Sequence, residues 1–290
     1  MERRRDYGVP DEIEFKTKPE LLFEMVMNFK KRGLPFAWLG VDTLYGRDTV
    51  FLDDVDNEGI IYCADTPCDT RVWLEKPKTG VPSRKGKRGR KPVKEKLVEG
   101  EPKPIEVRNI IPSRWYRVFL RDTERKELWS QMAFLRVYPV RDELPGEEAW
   151  LIIRKDEGDT KIKYQLSNAP ADTPKERLAE MSCSRYWIER MFQDANGAGG
   201  LSDYEVRGWR GWHHHMAMTM LVILFLLTMV IDMGAKAPML TLQDVRYVLD
   251  AILPKKEVTK EVILESILDS HKARMSARRS HHKRDRVKPT

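Results

Sequence analysis

The chain has 290 residues, of which 41% are hydrophobic and 33% are charged. This composition excludes a wholly disordered chain, because the apolar residues suffice for one large domain or two small ones. Three cysteines (Cys63, Cys68 and Cys183) are too few for a disulfide framework, which fits the reducing cytoplasm. The first fifteen residues, "MERRRDYGVPDEIEF", contain no apolar stretch, so no secretory signal is expected.

The net charge of +7 is unevenly distributed along the chain. Residues 76–96 contain ten Lys or Arg and one Glu, and residues 271–290 contain eight Lys or Arg and one Asp. The rest of the chain is therefore acidic overall. Two basic runs on an acidic body indicate a polyanion such as DNA, because neutralising phosphates releases counterions. Solvated charge that aids solubility is the alternative.

The first 75 residues predict a helix followed by two buried strands. Thr17 caps an amphipathic helix in "TKPELLFEMVMNFKKRGLP", and Gly33 ends it. The short apolar runs "PFAWLGVD" and "GIIYCAD" are typical of buried strands. Asp42 therefore follows a strand at its carboxyl end, where functional groups of α/β proteins collect. Capping of the next element, or shaping of the turn, is the alternative role for this Asp.

Residues 79–104 are rich in Pro, Gly, Lys and Arg and predict a linker or disordered loop without a core. Its centre, "KGKRGRKPVK", resembles an AT-hook, a basic segment slim enough to lie in a minor groove. An unstructured basic linker is the alternative. The residues predicted to contact DNA here are Arg84, Lys85, Lys87, Arg88, Arg90 and Lys91.

From residue 105 to about residue 170 the hydrophobic period changes to two, which predicts strands. The runs are "RWYRVFLR", "LWSQMAFLRVYPV", "EAWLIIRK" and "KIKYQLSNAP", and "DEGDT" joins the last two as a hairpin. This part of the chain is predicted to be a β-rich insertion.

Helices resume at "TPKERLAEM", and the run that contains Glu189 ends at Asn196 and Gly197. Helical spacing places a polar stripe beside an apolar face, where the Glu189 carboxylate could be partly desolvated. If Asp42 and Glu189 met in space, they could hold a divalent ion. Spacing alone favours an ordinary ion pair of Glu189 with Arg185, worth a few tenths of a kcal/mol. The polar stripe is Arg185, Glu189, Gln193 and Asn196, and the apolar face is Met181, Ile188, Met191, Phe192 and Ala195.

The next helix contains "MAMTMLVILFLLTMVI" (residues 216–231), sixteen residues without a charge. A membrane span needs about twenty such residues, so a buried core helix is the favoured interpretation and a membrane span the alternative. The preceding His213, His214 and His215 point in different directions on a helix, which favours a polar cluster over a zinc site. A last amphipathic helix, around "TLQDVRYVLDAIL", precedes the basic tail.

Together "LPFAWLGVDTLYGRD", "YQLSNAP" and "SRYWIERMFQDANGAGGLSDYEVRGWRGWHHHMAM" resemble DDE transposases of bacterial insertion sequences. The likeness runs from about Val9 to Ile231 and is nearest to the insertion sequence 701 group, which is related to the insertion sequence 4 group. It implies an α/β fold, an RNase H-like catalytic core that is incomplete at its N-terminus. A β-rich insertion precedes the last catalytic helix.

The resemblance implies cleavage and joining of DNA strands with two Mg²⁺ or Mn²⁺ ions held by Asp, Asp and Glu. Asp42 falls on the second Asp and Glu189 on the Glu, so both are expected to be catalytic metal ligands. Arg185 falls on the Arg of the Tyr-Arg-Glu-Lys signature, which contacts DNA near the cleaved end. The implied partners are the transposon ends and target DNA, with a homodimer in the synaptic complex and no membrane.

The chain departs from the family pattern at three positions. Ser182 stands at the signature's Tyr, and Asn196 at its Lys, which removes a phosphate contact. The first catalytic Asp has no counterpart in an apolar run before the first helix. A truncated transposase that does not cleave DNA by itself is therefore expected, and a non-catalytic DNA-binding remnant is the alternative.

The expected organisation has five parts. They are a partial core with the second Asp (1–75), a basic linker (76–104), a β-rich insertion (105–172), the rest of the core with the Glu (173–235), and C-terminal helices with a basic tail (236–290).

Overall fold

The computed structural model describes residues 2–82, 92–122, 127–205, 207–234, 236–237, 240–254 and 259–285. The helices are α1 (Glu2–Asp6), α2 (Lys18–Lys31), α3 (Thr43–Gly46), α4 (Thr49–Asn57), α5 (Lys175–Ser184), α6 (Tyr186–Gly197), α7 (Trp209–Gly234), α8 (Leu242–Ile252) and α9 (Lys260–Asp285). Short 3₁₀ turns lie at Val107–Asn109 and Leu201–Asp203.

The strands include a long one of fifteen residues, β8, and several of two or three residues. They are β1 (Leu39–Val41), β2 (Tyr62–Thr66), β3 (Arg71–Trp73), β4 (Thr79–Gly80), β5 (Lys96–Leu97), β6 (Ile105–Glu106), β7 (Tyr116–Asp122), β8 (Glu127–Arg141), β9 (Leu144–Pro145), β10 (Ala149–Asp156) and β11 (Ile162–Ser167).

Most of these strands form one mixed sheet in the order β1-β2-β11-β10-β8-β3-β6, and β7 and β9 also pair with β8. Strands β1 and β2 are parallel, whereas β11, β10 and β8 run antiparallel to their neighbours. The mixed sheet and its flanking helices are consistent with the RNase H-like fold that the resemblance implies.

The strands predicted between residues 105 and 170 are present, and β10 and β11 form the predicted hairpin. They extend the sheet of β1 and β2, because β11 pairs directly with β2 and places Gln165 opposite Asp65. The sheet therefore continues across the predicted boundaries of the β-rich insertion. This pairing brings residues about one hundred positions apart in the chain to opposite positions on neighbouring strands.

Apolar side chains cover both faces of the sheet around β2. On one face, α2 and α4 pack against it through the buried residues Val26, Phe51, Leu52 and Val55. On the other face, α5 contributes Leu178 and Met181, which pack around Cys63. Helix α5 is thereby fixed above β2, and it holds the beginning of α6 over the carboxyl end of that strand.

Helix α2 begins and ends as the sequence predicts. The Thr17 hydroxyl accepts from the Glu20 backbone N–H, and the Glu20 carboxylate accepts from the Thr17 N–H at 2.7 Å, so the capping box is complete. Gly33 follows the helix with φ of +68°, a conformation that glycine adopts without strain.

The ends of the predicted linker pair with each other. Strand β4, at Thr79–Gly80, runs antiparallel to β5, at Lys96–Leu97, as a separate two-stranded ladder. The sequence prediction contained no strand in this segment.

Helix α7 is mostly exposed, so the prediction of a buried core helix is wrong. Only Thr219, Ile223 and Leu226 are buried within it, while Leu224 is 60% exposed. The reason is that α6, α8 and the turn at 201–203 contact the helix but leave much of its apolar surface uncovered. By length and composition alone, α7 could cross a membrane.

Candidate functional site

Asp42 ends strand β1 and caps the short helix α3. Its Oδ1 accepts a hydrogen bond from the Leu44 backbone N–H at 2.9 Å, and its own backbone is extended. The side chain is exposed. The structure therefore shows the capping role that was the alternative for this residue.

Asp65 lies beside Asp42, and the sequence analysis did not single it out. The parallel register pairs Val41 with Ala64, so the next residues, Asp42 and Asp65, follow side by side at the carboxyl ends of β1 and β2. The sequence contains a signal for Asp65, because the second apolar run, "GIIYCAD", also ends in an Asp at a predicted strand end.

Asp65 is held by two donors from distant parts of the chain. Gln165 Nε2 donates to Asp65 Oδ1 at 2.6 Å, and Arg185 Nε lies 2.8 Å from Asp65 Oδ2. The Asp65 side chain is only 20% exposed, so both contacts lie in a partly desolvated setting. Charge-assisted hydrogen bonds of this kind are stronger than neutral ones.

Arg185 also contacts Glu189. Its Nη2 donates to Glu189 Oε1 at 2.5 Å, which is the ion pair that helical spacing favoured for Glu189. The Glu189 side chain is 61% exposed, so its carboxylate does not have the partly desolvated setting that the polar stripe allowed. The reason is that Ile188 and Phe192, which were predicted to face a core, are themselves 43% and 47% exposed.

The structure does not bring Asn196, another predicted DNA contact, to this cluster. Asn196 is exposed on α6, seven residues beyond Glu189 and therefore about 10 Å further along the helix axis. The AT-hook-like residues Arg84, Lys85, Lys87, Arg88, Arg90 and Lys91 lie outside the described residues.

A polar cavity of about 310 Å³ adjoins Asp65, Arg185 and Glu189. Its wall contains a second ionic group, in which Arg154 donates twice to Asp156 at 2.6 and 3.0 Å and Lys163 donates to it at 3.0 Å. Burial alone would raise the pKa of Asp156. The hydrogen bonds and charges of Arg154 and Lys163 outweigh that effect and hold this pKa below its ordinary value.

Two buried polar atoms of the cavity wall have no hydrogen-bond partner among the described residues. They are Gln165 Oε1 and Ser182 Oγ, and their residues are 3% and 2% exposed. Gln165 Nε2 is engaged by Asp65 and by the Ser182 carbonyl. Rotating the amide would place its oxygen against these two acceptors, so the orientation is determined by its neighbours. Both oxygens are themselves enclosed by their neighbours.

A larger cavity of about 770 Å³ lies between β7 and α5 and shares Arg121 and Tyr186 with the first. We call it the aromatic groove. Arg121 stacks on Tyr186 at 3.3 Å from the ring centroid, and Lys175 stacks on Tyr116 at 4.4 Å. Its aromatic lining is Trp38, Tyr116, Phe119, Phe134, Tyr186 and Trp187, its basic lining Arg117, Arg121 and Lys175, and its acidic lining Glu176 and Glu180.

The histidine cluster makes contacts within its own region. His213 Nδ1 lies 2.9 Å from the Trp209 carbonyl oxygen, and His215 Nε2 lies 3.0 Å from that of Gly200. The described part of the chain contains no group of three His, Cys, Asp or Glu residues arranged to hold a metal ion. Asp42 Oδ1 caps α3 and Glu189 pairs with Arg185, so each of the two predicted metal ligands has a partner within the protein.

Residues 1–132 match the family described as DDE superfamily endonuclease. The match supports the DDE superfamily and suggests a transposase-like nuclease with DNA as its substrate. Proteins of this superfamily typically use divalent metal ions. The matched region contains Asp42 and Asp65 but ends before Arg185, which joins α5 to α6, and before Glu189 on α6. No curated protein matches the chain.

Proposed function

We propose that the chain is a DNA-binding protein of the insertion-sequence transposase type that does not cut DNA by itself. The aromatic groove is the observation that carries the DNA-binding part. Proteins that hold unpaired nucleic acid combine basic side chains, which contact phosphates, with aromatic side chains, on which bases stack. The groove has both, and it opens beside Arg185 and Glu189.

Trp187 is the exposed aromatic side chain best placed to receive a base. Its side chain is 65% exposed and packs edge-on against Tyr186 at 5.4 Å between ring centroids. Arg117 and Lys175 line the same groove and supply positive charge for contacts with phosphates. The basic runs at 76–96 and 271–290 add a contact with the DNA backbone that does not depend on sequence.

We infer the absence of cleavage from the contacts that the carboxylates of Asp42, Asp65 and Glu189 make within the protein. Asp42 accepts from the α3 backbone, and the single Arg185 guanidinium contacts both Asp65 and Glu189. A two-metal nuclease needs carboxylates that are available to its ions. Strand cleavage and transfer with Mg²⁺ or Mn²⁺, by a homodimer in the cytoplasm, is the alternative.

DNA binding is tested by fluorescence anisotropy with a labelled single-stranded oligonucleotide and the matching duplex. We expect Trp187→Ala to weaken binding of the single strand by roughly 5- to 150-fold, since stacking contributes about 1–3 kcal/mol per base. Trp212→Ala is the control, because Trp212 is 45% exposed and lines a different cavity. A wild-type chain that binds neither DNA would disprove the proposed function, and an unchanged Trp187→Ala variant would exclude the groove.

A further inference from the structure

Helix α7 has an apolar surface that its neighbours leave exposed. Its buried residues are Thr219, Ile223 and Leu226, whose spacing of four and three positions defines one side of the helix. On the opposite side, Leu221 is 59% exposed and Phe225 is 55% exposed. A helix on the surface of a soluble protein normally carries polar residues on that side, so the exposed apolar residues indicate a partner.

The side of α7 opposite its buried residues, which we call the far face, has a symmetric pattern. Its residues lie roughly 180° from the buried side, at about 100° per residue. They are separated by four, three, four, four, three and four positions, a series that reads the same in both directions with Leu221 at its centre. The far face consists of Arg210, His214, Ala217, Leu221, Phe225, Thr228 and Asp232.

The chemistry of the far face is complementary to itself in the antiparallel direction. A two-fold axis through Leu221 places each Arg210 beside Asp232 of the second copy, so opposite charges meet at both ends. The same axis places the small Ala217 opposite the large Phe225, which suits close packing of the two helices. In a two-fold interface the same patch of both copies is used, and every such contact occurs twice.

We propose that the far face is a homodimer interface, at which two copies of α7 pack antiparallel around Leu221. The resemblance implies a homodimer within a synaptic complex with DNA and assigns it no surface. The pairing proposed here requires no DNA, and it is therefore independent of the proposed function.

A lipid bilayer is the other environment that suits an apolar helix, and two observations favour the second copy. Helices α6 and α8 contact α7 and carry charged residues such as Arg190 and Asp244, which the hydrocarbon of a bilayer does not accept. Lipid also requires no match between the two halves of a helix. The opposite charges of Arg210 and Asp232, at equal distances from Leu221, match only in a two-fold pair.

The first test is sedimentation velocity of the purified chain over a range of concentrations, without DNA. We expect the wild type to form a discrete dimer. Leu221→Glu should raise the dimer dissociation constant at least about a hundredfold, because it places two carboxylates against each other at the centre of the interface. Leu264→Glu is the matched control, since Leu264 is also 59% exposed but lies on α9, and it should dimerise like the wild type.

The second test reverses the charges at the ends of the far face. Arg210→Asp and Asp232→Arg should each weaken the dimer by roughly tenfold, because each turns two attractive pairs into two repulsive ones. The double variant restores opposite charges across the interface, so its dissociation constant should return to within about threefold of wild type. Circular dichroism of each variant shows whether it is folded, and the charge variants test the pairing if Leu221→Glu does not fold.

The following results would overturn the proposal. They are a wild-type chain that remains monomeric or forms only larger aggregates, equal dimerisation of Leu221→Glu and Leu264→Glu, and a double charge variant as weak as the single ones. A monomeric wild type that floats with phosphatidylcholine vesicles would assign the far face to lipid instead. Each of these results leaves the DNA binding of the proposed function intact, because fluorescence anisotropy measures that binding separately.

Discussion

At the scale of single residues, Asp156 forms ion pairs with two basic side chains, Arg154 and Lys163, in the wall of the polar cavity. Its side chain is 13% exposed, and that of Arg154 is 9% exposed. Arg154 also donates to the Ser182 carbonyl at 3.1 Å, so the network connects β10 to the end of α5. Arg185 directly follows the last residue of α5, so the network supports the position of that arginine.

Acid should weaken this network. Because the pKa of Asp156 is lower in the folded chain than its ordinary value near 3.8, the carboxylate stabilises the fold fully above that value. This stabilisation is lost as the pH falls through the lower folded pKa. Asp156→Asn should reduce the free energy of unfolding at pH 7 by roughly 3 kcal/mol, since it leaves Arg154 buried without its partner.

The measurement is urea unfolding at several pH values between pH 7 and pH 2. The control is Glu157→Gln, which breaks the exposed pair of Glu157 with Arg117 and should cost less than about 1 kcal/mol. Equal stability of Asp156→Asn and Glu157→Gln would show that the network contributes little.

Asp65 illustrates which residues sequence reasoning could not assign. Local spacing identified the Arg185–Glu189 pair, because four residues separate them on one helix. The contacts of Asp65 with Gln165 and Arg185 join residues 100 and 120 positions apart, and no local pattern predicts them. The exposure of Glu189 could not be predicted for a related reason, since it depends on whether another element covers α6.

At the scale of elements, the close approach of α3 to β2 positions Asp65. Gly46 ends α3, and a Cβ built there would overlap the Asp65 carbonyl oxygen and lie 3.3 Å from the Ala64 Cβ. Only glycine allows the helix to lie this close to the strand. The short helix between Asp42 and Asp48 is therefore fixed against the strand end that carries Asp65.

Gly46→Ala should push α3 away from β2 because the obstacle is backbone rather than a flexible side chain. We expect a loss of about 1–3 kcal/mol in the free energy of unfolding. Gly197→Ala is the matched control, since a Cβ there meets no atom within 4 Å, and it should change stability by less than about 0.5 kcal/mol. Thermal unfolding of the two variants measures this difference, and equal midpoints would contradict the close packing.

Element identity was more predictable than element environment. Helix α2 and the hairpin of β10 and β11 follow from capping residues and alternation, which are local signals. The exposure of α7 could not be predicted, because sixteen uncharged residues suit a protein core, a partner surface and a lipid environment equally well.

At the scale of the whole molecule, the sheet joins the parts that the sequence analysis treated separately. Pairing of β11 with β2 places the predicted β-rich insertion directly beside the strand that bears Asp65. The aromatic groove forms between β7 and α5, elements from two of the predicted parts. Composition and charge predicted a polyanion partner, but the location of this groove depends on long-range pairing.

The central claim is that this chain binds DNA while its carboxylates remain unavailable for metal-dependent cleavage. The most direct test is nicking of supercoiled plasmid by the purified chain in Mn²⁺, alongside Asp42→Ala and Glu189→Ala. We predict that the wild-type chain retards the plasmid on a gel but leaves it supercoiled, like both variants. Mn²⁺-dependent nicking by the wild type that Asp42→Ala and Glu189→Ala abolish would contradict the claim.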